Sequence, residues 1–111
     1  MAIIPKPIFQ IVPAGVVAVE LYTPATDVTV RLESIVFMNW HVSAVLVTIY
    51  HDIDGGVFDD ESMLLQETSI AADARFVFNE RLLMDWNGSL GLKVSVADVV
   101  TVTGYAWVDA Y

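Results

Sequence analysis

The sequence predicts an all-β fold, two antiparallel sheets packed as a jelly-roll-like sandwich of about eight strands. Three observations predict it. Apolar and polar residues alternate with a period of two in several runs, most cleanly where Val28, Val30 and Leu32 alternate with Thr29, Arg31 and Glu33. Turn-forming clusters punctuate those runs at short intervals. No stretch carries a convincing helical period; the nearest, residues 79–86, is too short to stand as a helix.

The elements follow in order. Residues 1–14, MAIIPKPIFQIVPA, are apolar and interrupted by Pro5, Pro7 and Pro13. Proline removes a backbone donor and is confined to edge strands and extended segments. This segment is expected as an extended N-terminal arm on a sandwich domain of residues 15–111. Two readings of it stay open: an edge strand at 8–12 on its own domain, or an arm lying on a neighbouring subunit. Residues 16–22 (VVAVELY) are a strand candidate, closed by the turn cluster 23–27. The alternating strand from Val28 runs into residues 34–40, SIVFMNW, where the alternation breaks. A β-bulge or burial on both faces is expected there. Residues 43–51 form the next strand, with Val45, Val47 and Ile49 on one face. An acidic loop with Gly55-Gly56 at its tip follows, then short strands at 62–67 and 74–78. Asn87-Gly88 signals a tight turn between Leu82-Leu83-Met84 and the strand 89–96. In the closing run, Val100, Val102, Ala106 and Val108 share one face, and Thr101, Thr103, Tyr105, Trp107 and Asp109 the other.

Composition narrows the function classes. The chain has 111 residues, of which 56% are hydrophobic. Such a chain collapses, and a domain of this size leaves apolar surface for a partner or a second copy. Fourteen carboxylates oppose five basic side chains, for a net charge of −9. The scattered Lys6, Arg31, Arg75, Arg81 and Lys93 form no basic stripe in the sequence. Nucleic acid and anionic membrane are therefore disfavoured as partners. The absence of cysteine excludes disulfides, thiolate catalysis and Cys-ligated zinc. No apolar run reaches the roughly 18 residues of a membrane helix. The proline-broken N-terminus makes a poor signal peptide, so the chain is expected to be made and used without secretion.

Candidate chemistry is sparse. Asp52, Asp54, Asp59, Asp60 and Glu61 crowd one glycine-bearing loop and are a weak calcium candidate. The spacing fails the helix-loop-helix calcium template, and a solvated loop is the plainer reading. His41 and His51 belong to no ligand motif, and no nucleophile–base–orienter pattern is visible. Paired carboxylates for glycoside cleavage are present by residue type, but so small a sandwich rarely builds a deep cleft. A non-enzymatic protein without cofactor or metal is expected. The aromatics say more. Tyr105, Trp107 and Tyr111 share the polar-side parity of the last strand, and Trp40 and Trp86 sit in or beside turns. Three readings remain open: a central strand buried on both faces, a protein interface, or a platform for sugar rings.

Three segments carry a resemblance: TPATDVTVRLESIVFMNW at 23–40, VLVTIYHDIDG at 45–55 and SLGLKVSVADVVTVTGYAWV at 89–108. In this order they resemble small virion β-sandwich proteins of tailed bacteriophages, and the match covers most of the chain. The patterns are structural and contain no catalytic residue. The resemblance implies a capsid cement (decoration) protein. Such a protein binds the outer surface of the major capsid protein shell, as a homo-oligomer at a symmetry axis, and stabilises the shell. The alternative it implies is a tail or receptor-binding, carbohydrate-binding component. The contact residues expected on this reading are Ile3, Ile4, Pro5, Ile8 and Phe9 of the arm, with Tyr105, Trp107 and Tyr111.

Overall fold

Alternating apolar residues make each strand one-sided, so two sheets close over a shared core. The computed structural model describes the chain from Lys6 to Ala110, and its side chains as far as Val108. The strands among these residues are β1 (Lys6–Ile11), β2 (Val19–Tyr22), β3 (Val28–Asn39), β4 (Val45–Asp52), β5 (Met63–Ile70), β6 (Arg75–Phe78), β7 (Leu82–Met84), β8 (Ser89–Val94) and β9 (Val100–Ala110). One sheet has the order β1-β9-β3-β6, with β7 also paired to β3; the other has the order β2-β8-β4-β5. Every pairing is antiparallel. The all-β, two-sheet expectation is met, with nine strands where about eight were expected. The extra one is β7, a three-residue strand where the sequence gives only the short run Leu82-Leu83-Met84.

The core lies between the sheets. Val30, Leu32, Ile35 and Phe37 of β3 meet Val45, Val47 and Ile49 of β4 and Leu90, Leu92 and Val94 of β8. Val100, Val102 and Ala106 of β9 close it. The parity read from the last strand is the observed one: its even-numbered apolar residues face inward.

The broken alternation in β3 has a physical cause. The register of β3 against β9 shifts between Leu32 and Ser34, so Glu33 is a bulged residue. Leu32 and Ile35 both stay buried on the inner face, and the bulge absorbs the odd spacing between them.

Asn39, at the end of β3, ties the two sheets together. It is fully buried, and its Nδ2 donates to the carbonyls of Ser43, Ile70 and Ala71 at 3.0–3.1 Å. Its Oδ1 accepts the His41 N–H at 2.9 Å.

The Asn87-Gly88 turn differs from expectation in its role. The turn exists, with Gly88 N–H donating to the Asp85 carbonyl at 3.1 Å. It carries the chain from β7 in one sheet to β8 in the other, so it closes no hairpin. No glycine has a positive φ. Gly88 is needed because a Cβ there would collide with the backbone of Asp52 and Ile53. Left-handed backbone is taken instead by Asp27, Glu67, Asp73 and Asp98. Aspartate tolerates that region better than most side chains.

Candidate functional site

The N-terminal segment divides at the limit of the described residues. Ile3, Ile4 and Pro5 lie outside them, as does Tyr111. Residues 6–11 are β1, the edge strand beside β9 in this chain's own sheet. Ile8 and Phe9 are half-buried and pack against the core. The Phe9 ring sits where a Cβ of Gly104 would be and stacks, tilted, 6.0 Å from the Tyr22 ring. Phe9 therefore helps close its own sandwich.

The acidic loop is organised by its backbone. Asp52 accepts N–H bonds from Val57 at 2.8 Å and Asp54 at 3.3 Å. Those two bonds hold its carboxyl below the ordinary range. Asp59 accepts from Glu61 N–H at 3.0 Å, and Ser62 hydroxyl donates to the Val57 carbonyl at 2.9 Å. Asp54, Asp60 and Glu61 are exposed. Among the described residues, no three of the His, Asp and Glu side chains converge as a metal-ligand set. The crowding of carboxylates in sequence does not become convergence in space. His51 is held below the usual imidazole range by burial, partly offset by the neighbouring Asp52 carboxylate. His41 stands half-buried at the β3–β4 connection.

This loop also covers the part of the four-stranded sheet's outer face around Gly91 and Tyr50, while Leu46 and Lys93 on the same face stay exposed. Phe58 lies over Gly91 of β8, where a Cβ would meet its ring at 2.6 Å, and 5.9 Å from the Tyr50 ring. Tyr50 is left 6% exposed and Thr48 3% exposed, although both point away from the core.

The outer face of the five-stranded sheet has no such cover among the described residues. Its rungs follow from the register. Arg31 of β3 lies between Trp107 of β9 and Leu83 of β7. Val36 lies between Thr103 and Val77, and Met38 between Thr101 and Arg75. Gln10 donates to the Thr103 hydroxyl at 3.1 Å, and the Trp40 indole N–H to the Thr101 hydroxyl at 3.2 Å. The Trp40 ring is thus held along this face while half of the residue stays exposed. Met38 and Val77 are exposed on the same face, and Leu83 is exposed toward its other end, opposite Arg31.

Over the Glu33 bulge the face forms a groove of about 550 Å³, lined by Arg31, Glu33, Arg81, Leu82, Leu83 and Trp107 among others. The bulge turns Glu33 outward, where one carboxylate oxygen accepts the Trp107 indole N–H at 3.3 Å. The other faces the Arg81 guanidinium at 3.5 Å. The Arg31 guanidinium lies 5.9 Å from the centre of the Trp107 ring, within cation–π range. Of the residues named from the sequence, Trp107 belongs to this cluster and half-buried Tyr105 to the same face; Trp86 stands in the β7–β8 turn. Arg31, Glu33, Arg81 and Leu83 were not singled out by sequence reasoning. The signal that could have found Glu33 was the broken alternation, because a bulge re-aims the side chain it displaces.

No family model and no curated protein matches the chain.

Proposed function

We propose that this chain belongs to the class of surface-binding β-sandwiches with jelly-roll wrapping. With β6 and β7 counted as one interrupted strand, consecutive strands face each other across the core: β1 over β2, β3 over β4, β6 over β5 and β9 over β8. That order supports two interleaved Greek keys. Within that class, the reading best supported is a non-enzymatic capsid cement protein of a tailed bacteriophage. It binds the outer surface of the major capsid protein shell and stabilises it, with further copies of itself around a symmetry axis.

The single observation that carries the reading is the uncovered, aromatic and apolar outer face of the five-stranded sheet. Trp40, Met38, Val77 and Leu83 stand open there, with Trp107 and Tyr105 half-buried among them. Exposed apolar and aromatic side chains on a rigid sheet are the makings of a protein interface. A net charge of −9 suits the outside of a shell better than its DNA-filled interior. The resemblance of residues 23–40, 45–55 and 89–108 to phage virion proteins supplies the particle.

Electron microscopy of virions purified from the source of the gene tests this. The expected result is density of this fold on the outer capsid surface with the five-stranded sheet facing the shell. Density on the tail, or none on the particle, contradicts it.

A further inference from the structure

The turn between β7 and β8 holds a reactive pair of residues in an unreactive shape. Asn87 is the one asparagine of the chain followed by glycine; Asn39 precedes Trp40, and Asn79 precedes Glu80. An asparagine side chain is open to attack by the backbone nitrogen of the next residue, and glycine leaves that nitrogen unhindered and its backbone free to turn. Base removes the proton of the Gly88 nitrogen, whose electron pair bonds to Cγ of Asn87. The bond from Cγ to the side-chain nitrogen breaks, and ammonia leaves with the returned proton. Water then opens the resulting cyclic imide at either carbonyl, giving aspartate or isoaspartate. The reaction needs no oxidant, metal or enzyme.

The fold opposes it at the backbone. The Gly88 N–H donates to the Asp85 carbonyl at 3.1 Å, and neither Trp86 nor Asn87 has a positive φ. Together these define a type I turn, in which Asn87 has a ψ of about 0°. Tetrahedral geometry at Cα then sets the Gly88 nitrogen about 120° in torsion away from the Asn87 Cβ, whereas ring closure needs the two nearly eclipsed. The attacking nitrogen is also engaged as a donor. Gly88 is buried, and it sits so close to the backbone of Asp52 and Ile53 that a Cβ would collide with it. Rotating the 87–88 peptide into the attacking geometry therefore breaks the turn's hydrogen bond and disturbs that contact. Asn87 itself is exposed, so access of water and base is not the barrier.

We infer that Asn87 is a latent modification site, converted to aspartate or isoaspartate only when the β7–β8 turn opens. The site thereby records opening of this end of the sandwich, whether or not the chain docks on a particle. The record has a structural consequence. Isoaspartate carries the main chain through its Cβ, one carbon longer, next to the point where Gly88 abuts Asp52 and Ile53. The lengthened turn no longer fits against the strand end from which the covering loop starts.

The test follows the tryptic peptide of residues 82–93, in which Asn87 is the one side-chain amide. The full chain is aged in mildly alkaline buffer, folded and in guanidinium chloride, and mass spectrometry measures conversion of amide to acid. Amide exchange of Gly88 is measured in the folded chain in the same buffer. Conversion is expected to be slower in the folded chain by about tenfold or more, and the Gly88 amide to be protected by a similar factor, because one opening frees that N–H for both reactions. Equal conversion in the folded and unfolded chain overturns the inference. Slow conversion beside an unprotected Gly88 amide overturns it too, because the turn is then not the gate. Chain aged unfolded and then refolded supplies the isoaspartate form. Its amides at 52 and 53 should be less protected than those of Asn87→Asp, which has the same charge on a backbone of ordinary length. Equal protection in the two would show that the lengthened turn is accommodated, contrary to the consequence drawn above.

Discussion

The two outer faces of this sandwich are built from similar strands and end in opposite states. On the four-stranded sheet, the β4–β5 loop folds back and Phe58 seals Gly91 and Tyr50. On the five-stranded sheet, the described residues supply no equivalent, and Trp40, Met38, Val77 and Leu83 stay open. Glycine in the middle of β8 gives the first face room for a ring from its own loop. On β9 the corresponding device works inward: Gly104 makes room for Phe9 in the core. The four-stranded sheet covers the centre of its own outer face, though Leu46 stays exposed there; among the described residues nothing covers the apolar and aromatic side chains on the outer face of the five-stranded sheet.

This contrast can be broken most strongly at Phe58. Phe58→Ala is expected to cost about 2–3 kcal/mol, by analogy with losses of buried aromatic rings and reduced because Phe58 is only partly buried. Chemical denaturation measures the loss, and amide exchange in β4 should quicken as Tyr50 is uncovered. Unchanged stability would mean that the loop does not seal the sheet.

Acidification sharpens the contrast next. His51 has its imidazole held below the usual range by burial, so the unfolded chain binds a proton more readily. The stability this gives is complete above the unfolded value, about pH 6.5, and is lost as pH falls from there toward the folded value. Asp52 is also held low, by the N–H bonds of Val57 and Asp54, and its contribution is lost at lower pH, below the ordinary carboxyl range near 3.8. Both act at the strand end that launches the covering loop. The protection of the amides of residues 53–62, with the slower intrinsic exchange at lower pH divided out, should therefore fall between pH 7 and 5, with His51→Gln weakening the dependence. A loop indifferent to pH in that window would show that His51 is not coupled to its closure.

The smallest effect on stability is expected on the open face. Leu83→Ala and Val77→Thr should each change unfolding free energy by no more than about 0.5 kcal/mol, because neither side chain is sealed in. The same changes should weaken particle binding, which separates docking from folding. A loss of several kcal/mol in the isolated chain would mean that this face is part of the fold's own support.

The sequence made much of this legible, and unevenly. The strict alternation of residues 28–33 and 100–108 identified the inner faces, because a half-buried strand must present apolar groups every second residue. The break at residues 34–40 leaves a bulge and burial on both faces open, and the bulge lies one residue before it, at Glu33. The sequence could not say that the bulge aims Glu33 at Trp107 and Arg81, since that depends on β9 and β7 flanking β3 seventy and fifty residues away, on the order of their separation along the chain. Phe58 was equally hidden. Beside Val57 in an acidic loop it carries no strand pattern, and only the fold brings it over Gly91. Asn87-Gly88 signals a tight turn, and the sequence does not show that Gly88 also serves a close approach of two chain segments. Local pattern fixes which way a strand faces; which loop or sheet lies beyond that face is a long-range fact.

Hydroxyl-radical footprinting of the chain on and off the particle distinguishes the two faces, because it reads side chains one by one. Met38, Trp40 and Leu83 should become protected on binding, while Ile53 and Val57 of the covering loop react as before. Protection of Ile53 and Val57 with Met38, Trp40 and Leu83 unchanged would contradict docking by the open face.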